Sequence, residues 1–147
     1  MLPSGCWPVS MSATNSRASA VPLPKDLRAI APSAVRWRLV DHSLLAVQVS
    51  RDGRAAAEAL AASPLLAAVK IVAVVSEDVD IEDEVSLLWG LFTRFDPARD
   101  VVFGRAELRG SLPVYSGVMA IDATWKQGYP APLEMSEEIV KKVESRW

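Results

Sequence analysis

The chain has 147 residues, 50% of them hydrophobic and 23% charged, and a formal net charge of −2 at pH 7. This length and composition predict one compact soluble domain, and the near-neutral charge offers no basic face for nucleic acid. No apolar stretch approaches the roughly 20 residues that span a bilayer, and the N-terminus lacks the apolar region of a secretory signal. The single cysteine, Cys6, excludes an internal disulfide. We therefore expect a cytoplasmic protein that binds neither nucleic acid nor membrane.

Residues 1–33 are rich in proline, serine and alanine, and five prolines interrupt every element that could form there: Pro3, Pro8, Pro22, Pro24 and Pro32. Such a segment buries too little surface to offset its ordering entropy. We predict a disordered leader over residues 1–33, with a partner-docking arm as the alternative, and a folded domain over residues 34–147. Met11 is a second candidate start.

The first half of the predicted domain contains two strands, a helix and a third strand. The segment "VRWRLV" alternates and "SLLAVQVS" is a strand candidate, with a turn between them at Asp41-His42. The alanine-rich stretch that follows predicts a helix that begins near Gly53 and ends at Ser63-Pro64, because proline lacks an amide donor. "KIVAVVS" does not alternate, which is typical of a strand buried on both faces.

Six carboxylates follow this strand: Glu77, Asp78, Asp80, Glu82, Asp83 and Glu84. A calcium loop is excluded, because Asp83 stands where the loop requires glycine and Trp89 stands at its twelfth position. Glu82, Asp83 and Glu84 suit the start of a helix, where negative charge is stabilising. A magnesium site formed by Glu77, Asp78 and Asp80 stays open, because ligands bind at the carboxyl edge of parallel sheets.

The second half of the predicted domain contains a helix, a short strand, a loop and a final helix. Apolar residues recur at helical spacing after the acidic cluster and predict a stripe that packs in the core: Val85, Leu88, Trp89, Phe92 and Phe95. "DVVFG" predicts a short strand, and a loop with Gly110, Pro113 and Gly117 follows. The final helix, "SEEIVKKVESRW", has acids in its first turn and bases later. Its apolar face consists of Ile139, Val140, Val143 and Trp147.

The alternation of strands and helices predicts the α/β class: a single three-layer domain with a small, mostly parallel sheet flanked by helices. The residues do not form a recognisable catalytic set. His42, the only histidine, lies in a predicted turn with no nucleophile placed beside it, and one histidine with one cysteine does not make a structural zinc site. We therefore expect no catalytic residue and no metal site.

Four ordered blocks stand out from Lys70 onward: "KIVAVVSEDVDIED", "LLWGLFTRFDPARDVVF", "MAIDAT" and "YPAPLEM". Together they resemble the C-terminal domain of the UbiD family, the prenylated-FMN-dependent reversible decarboxylases. The residues that match the family's signature are Glu77, Asp78, Asp80, Trp89, Thr93, Arg94, Pro97, Arg99, Asp100, Asp122 and Thr124.

The resemblance implies that this chain works together with a partner subunit. The family's large N-terminal portion binds the prenylated flavin and a divalent metal and supplies the catalytic residues, and none of it is present in these 147 residues. Some members place a lysine near the flavin phosphate where this chain has Ser63-Pro64. The resemblance therefore implies that this chain alone binds no cofactor, and that the prenylated FMN and the metal lie in a UbiD-like large catalytic subunit.

The family's C-terminal domain contributes one wall of the substrate cleft and most of the oligomer interface. The loop that forms this wall matches "GSLPVY", so the resemblance places four residues at the substrate: Ser111, Leu112, Pro113 and Tyr115. It also implies that the final helix packs on a neighbouring subunit, in a homo- or hetero-oligomer.

Three functional hypotheses follow. The leading one is the small subunit of a UbiD-like reversible (de)carboxylase that acts on an aromatic or unsaturated carboxylic acid and completes the cleft of a separate large subunit. The alternative is a non-catalytic homo-oligomeric scaffold or regulatory protein derived from the same domain. A third is an independent α/β enzyme that uses Glu77, Asp78 and Asp80 with a divalent ion.

Overall fold

The structure is a computed structural model that describes residues 22–129 and 136–145. Its strands are β1 (Ala34–Val40), β2 (Leu44–Val49), β3 (Ile71–Ser76), β4 (Val101–Arg109) and β5 (Leu112–Ala123). Its helices are α1 (Gly53–Ala62), α2 (Glu84–Thr93) and α3 (Glu137–Glu144), with short 3-10 helices at Leu27–Ala29 and Pro64–Leu66. No helix within these residues is long and apolar enough to cross a membrane.

The five strands form one mixed sheet in the order β1-β2-β3-β5-β4. The central strands β2, β3 and β5 are parallel, whereas β1 and β4 are antiparallel to their neighbours. Each edge strand is joined to its neighbour by a short turn, and a short turn permits only antiparallel pairing. The single α/β domain is thereby confirmed, with the parallel part confined to the middle of the sheet.

Helix α1 covers one face of the sheet. It ends at Ala62, with Ser63 as its C-cap directly before Pro64, as predicted. Its buried face combines Leu60 with small residues, and the sheet side of this core includes apolar residues of β2, β3 and β5. A Cβ added at Gly104 of β4 would overlap the carbonyl oxygen of Ala61, so the glycine lets helix and sheet approach closely.

Helix α2 lies on the opposite face of the sheet. It begins where predicted, after Asp83, whose carboxylate accepts a hydrogen bond of 2.6 Å from the amide of Ser86 and caps the helix. Leu87 and Leu91 are buried, and Gly90 faces Val79 so closely that a Cβ would lie 2.5 Å from a valine methyl group.

The predicted apolar stripe of α2 is not its buried face. Val85, Leu88, Trp89 and Phe92 are 66%, 50%, 67% and 64% exposed. The prediction that these four side chains pack in the core is therefore wrong, because the helix is apolar on nearly every side and buries the face that carries Leu87 and Leu91. The fifth member of the stripe, Phe95, is partly buried and does pack against the core.

The predicted loop with Gly110, Pro113 and Gly117 is also wrong. Strands β4 and β5 continue past the body of the domain as a two-stranded ribbon, which we define as residues 104–117. The ribbon is closed by Gly110-Ser111, and the φ of 65° at Gly110 suits the first central position of a type II′ turn.

Two predicted terminal regions lie partly outside the described residues. The predicted leader covers residues 1–33, of which the first 21 are not described; residues 22–33 differ from the expectation, because Leu27 and Ala31 are buried against the sheet. Helix α3 is present within the predicted final helix, and Trp147 is outside the described part. Packing of α3 on a neighbouring subunit stays a prediction; Ile139 and Val143 are about half exposed here.

Candidate functional site

The carboxyl ends of β2, β3 and β5 meet at one edge of the sheet, next to the start of α1. A cleft of about 310 Å³ lies there, lined by residues 49–53 and by Ser76, Glu77, Asp78, Thr124 and Trp125. Parallel sheets bind ligands at this edge, so the cleft is the first candidate for a site. It brings together three signature residues, Glu77, Asp78 and Thr124.

Asp122 and Thr124 form a closed turn beneath this cleft. The buried carboxylate of Asp122 accepts hydrogen bonds from the amide and the hydroxyl of Thr124, at 3.1 and 2.6 Å. A Cβ added at Gly53 would overlap the Thr124 side chain and lie 2.6 Å from Asp122 Oδ1. The signature pair thus fixes the end of β5 and the start of α1 against each other.

Asp100 is the second buried carboxylate near this edge. It accepts hydrogen bonds of 2.8 Å from the amide of Asp96 and 2.9 Å from the hydroxyl of Tyr129, and Lys126 Nζ lies 3.6 Å from it. Burial raises the pKa of Asp100, but the Asp96 amide, Tyr129 and the charge of Lys126 outweigh this effect and hold it below its ordinary value. This signature residue is therefore an anionic anchor for the loop that precedes β4.

Asp78 and Arg94 form one ion pair. The two guanidinium nitrogens donate to the two carboxylate oxygens at 2.9 and 2.7 Å, which connects the end of β3 to the end of α2. The hydrogen bonds from Arg94 hold the pKa of Asp78 below its ordinary value, against a smaller opposing effect of burial. The pair makes Asp78 a structural carboxylate and a poor candidate for proton transfer.

Asp80 and Glu82 hold the turn before α2. Asp80 accepts a hydrogen bond of 3.0 Å from the amide of Glu82, and Glu82 lies 3.5 and 3.6 Å from the guanidinium groups of Arg36 and Arg38. Within residues 22–129 and 136–145, no three His, Cys, Asp or Glu residues are arranged to hold a metal ion. Glu77, Asp78 and Asp80, the three residues of the divalent-ion hypothesis, therefore do not form such a group.

Trp89 and Thr93 are signature residues of a different surface. The Thr93 hydroxyl donates a 2.6 Å hydrogen bond to the Trp89 carbonyl, and the indole is two-thirds exposed. We define the α2 surface as Val85, Leu88, Trp89 and Phe92. The structure thus pairs Asp78 with Arg94 and Asp122 with Thr124, but it does not gather the signature into one site.

An apolar cavity of about 430 Å³ adjoins the α2 surface. It is lined only by apolar side chains, among them Leu44, Ile71, Val101 and Met119 of the sheet. Helix α2 therefore covers only part of its face of the sheet. Exposed apolar surface of this extent is typical of an interaction site.

The four residues predicted to form the substrate-cleft wall lie on the ribbon and not at the 310 Å³ cleft. Ser111 is in the turn, Leu112 and Tyr115 are 69% and 55% exposed, and Tyr115 stacks on Phe103 with 4.7 Å between ring centroids. Their contact with a substrate stays a prediction. The sequence does contain a signal for the ribbon, because Gly-Ser between two strand-like segments is typical of a two-residue hairpin. This signal could have predicted a hairpin in place of the loop.

Comparisons with known proteins agree on one family. The model of the 3-octaprenyl-4-hydroxybenzoate carboxy-lyase C-terminal domain matches residues 12–123. An uncharacterized protein of Archaeoglobus fulgidus is 38% identical over 96 residues, which cover 56% of this chain and 20% of that protein. A 4-hydroxybenzoate decarboxylase subunit of Chlamydia pneumoniae is 34% identical over 67 residues, 46% of this chain and 12% of that protein.

Solved structures show the same fold. The closed form of vanillic acid decarboxylase from Sedimentibacter hydroxybenzoicus matches with a TM-score of 0.54 and 25% identity, over 87% of this chain and 32% of that one. The UbiD-class enzyme HmfF of Pelotomaculum thermopropionicum, solved with prFMN, matches with a TM-score of 0.55 and 21% identity, over 82% and 28% of the two chains. The chain spans about a fifth or less of the curated relatives named above.

Proposed function

The chain belongs to the UbiD carboxy-lyase family, whose C-terminal domain it carries, and on that premise we propose that it is the small subunit of a UbiD-like reversible (de)carboxylase. In this proposal it docks on a large catalytic subunit and completes the cleft for an aromatic or unsaturated carboxylic acid. The aromatic class is supported by two relatives, whose names specify 4-hydroxybenzoate and vanillic acid.

The α2 surface is the observation that carries the proposal. Four large apolar side chains are half to two-thirds exposed on one helix, beside an apolar cavity of about 430 Å³. Full burial of such a side chain is worth roughly 1.5–3 kcal/mol, so covering the exposed part of all four would contribute roughly 4–7 kcal/mol before association costs. In the proposal, the docked large subunit covers the α2 surface.

The cleft at the carboxyl edge does not fit prenylated FMN. The carboxylate of Glu77 lines it and would repel the flavin phosphate, and the guanidinium groups of Arg51 and Arg94 already lie 3.7 and 2.7 Å from the carboxylates of Asp52 and Asp78. We therefore assign the flavin and the divalent metal to the large subunit.

In the proposal the ribbon forms one wall of the partner's cleft. Pro113 and Tyr115 present apolar surface on one face of the ribbon that an aromatic ring can contact, Leu112 lies on the opposite face, and Ser111 offers a hydroxyl in the turn. An apolar wall would exclude water from the carboxylate that is lost as CO₂ in decarboxylation or formed from CO₂ in carboxylation. The chain would thus contribute substrate contact and shielding, while the catalytic groups stay in the partner.

Co-expression with the UbiD-like large subunit of the same organism tests the proposal. We expect a stable complex by light scattering, and a higher decarboxylation rate of the flavin-loaded large subunit when the chain is present. Leu88→Ser should weaken the complex at least tenfold, whereas Leu65→Ser should not, because Leu65 is 61% exposed but lies on the short helix after α1. If no complex forms and the partner's activity does not change, the proposal is wrong.

The same experiment addresses the alternative scaffold. A tight oligomer of this chain alone, together with a large subunit whose activity is indifferent to it, would favour the homo-oligomeric scaffold or regulator. An increase in activity that depends on Leu88 would favour the small subunit.

A further inference from the structure

The ribbon has two free edges that differ in chemistry. It is closed by a two-residue turn, and the register pairs Arg109 with Leu112, Leu108 with Pro113, Glu107 with Val114 and Ala106 with Tyr115. The pair next to a two-residue turn exchanges hydrogen bonds, and such pairs alternate with pairs that do not. The N–H and C=O groups of Ala106 and Leu108 therefore point away from β5, at the open edge of the sheet.

The edge on the β5 side is interrupted at Pro113. β5 pairs with β3 only from Met119 onward, so its earlier residues also border solvent. Pro113 lies there at a position whose N–H would point outward, and proline has none to donate. Only the β4 edge can therefore receive a further strand in full.

The side chains of β4 alternate between a charged and an apolar face. Arg105, Glu107 and Arg109 share one face, with Glu107 lying 3.8 Å from the first guanidinium and 3.0 Å from the second. Ala106 and Leu108 share the other face, and Leu108 is 74% exposed. A strand with this pattern is complementary to an antiparallel copy of itself in selected registers only.

We propose that β4 pairs antiparallel with β4 of a second copy of this chain, about a two-fold axis at Ala106. In this register Ala106 faces Ala106 of the copy with reciprocal hydrogen bonds, and Arg105 faces Glu107 twice, by symmetry. Leu108 and its symmetry mate then extend one apolar face across the junction. The two sheets become one continuous sheet of ten strands.

Charge and overlap select this axis from its neighbours. An axis at Arg105 would place two arginines opposite each other. An axis at Glu107 would place two glutamates opposite each other and Arg105 opposite Arg109, and like charges directly opposite are destabilising. An axis at Leu108 would match Glu107 with Arg109 but would overlap only the last few residues before the turn. The axis at Ala106 combines opposite charges with pairing over residues 103–109 of β4.

The inference is independent of the proposed function, and its test uses the full-length chain without any large subunit. We expect a dimer in sedimentation at micromolar concentration. Glu107→Arg places like charges opposite each other twice and should weaken the dimer roughly tenfold or more. The double variant Arg105→Glu with Glu107→Arg restores opposite charges and should restore the dimer. A monomeric parent chain, or a double variant as weak as the single one, would overturn the inference.

Disulfide cross-linking reads the register directly, in a background in which Cys6 is replaced by serine. Ala106→Cys places two cysteines with Cα atoms roughly 5.5 Å apart, which a disulfide can bridge. Leu108→Cys is the matched control, because in this register its two copies lie roughly 14 Å apart. Rapid oxidation of the first variant and not of the second is expected. Equal cross-linking of both, or of neither, would overturn the inference.

Discussion

The orientation of α2 predicts that truncation of two nearby residues, Leu91 and Trp89, has very different effects on the stability of the chain. Leu91 is 3% exposed and packs in the core, whereas Trp89 is 67% exposed. Leu91→Ala should therefore destabilise the isolated chain strongly. Trp89→Ala should leave its stability nearly unchanged, although it removes the larger side chain.

The magnitudes follow from burial. Truncation of a buried leucine to alanine costs about 2.7–5 kcal/mol, the sum of lost transfer free energy and the cavity left behind. At Trp89 only the buried third of the side chain is lost, and alanine returns several tenths of a kcal/mol because it is the better helix former. The net change at Trp89 should be within about 1 kcal/mol.

Urea unfolding followed by circular dichroism at 222 nm measures both variants without relying on tryptophan fluorescence. With an m-value of about 2 kcal/mol/M, Leu91→Ala should lower the midpoint by about 1.5–2.5 M, and Trp89→Ala by less than about 0.5 M. A Trp89 variant destabilised as much as the Leu91 variant would refute the orientation of α2, and with it the interaction surface on which the proposed function rests.

Three further outcomes are expected. The urea midpoint should fall as the pH drops below 3.8, the ordinary pKa of Asp78, because Arg94 holds this pKa lower in the folded than in the unfolded chain. Asp78→Asn should flatten this pH dependence, and an unchanged slope in the variant would contradict the role of the ion pair. Gly53→Ala should lower the free energy of unfolding by roughly 1–3 kcal/mol in urea titration, because its Cβ would overlap Thr124; wild-type stability would contradict the packing at the carboxyl edge. Gly110→Ala should cost about 1–2 kcal/mol in the same assay, and Gly110→Asn less, because the φ of 65° is strained for most side chains while no atom obstructs a Cβ; equal costs would argue against the turn.

The central fold could be predicted because local chemistry and burial agree there. The continuous β-branched run of β3 has no helical alternative of comparable propensity, and Ser63-Pro64 ends α1 for steric reasons that hold in any context. The start of α2 was equally predictable, because Asp83 is a strong capping residue before an apolar segment.

The exposed face of α2 could not be predicted from its pattern. A helix with leucines at 87, 88 and 91 and aromatic residues at 89 and 92 offers more than one apolar stripe. Which stripe is buried depends on the partner surface, here Val79 against Gly90, and that contact belongs to tertiary structure. The candidate site was only partly predictable for the same reason, since the partner of Asp78 lies 16 residues away.

Pro113 limits how far the assembly proposed above can grow. A ribbon with two equivalent free edges could add copies at both sides, and repeated addition of that kind produces an open filament. With one edge lacking a donor, the remaining edge is consumed when two copies meet, and no complementary edge is left for a third. Pro113, which has no N–H, would thus allow a closed dimer to form and prevent its growth into an open filament.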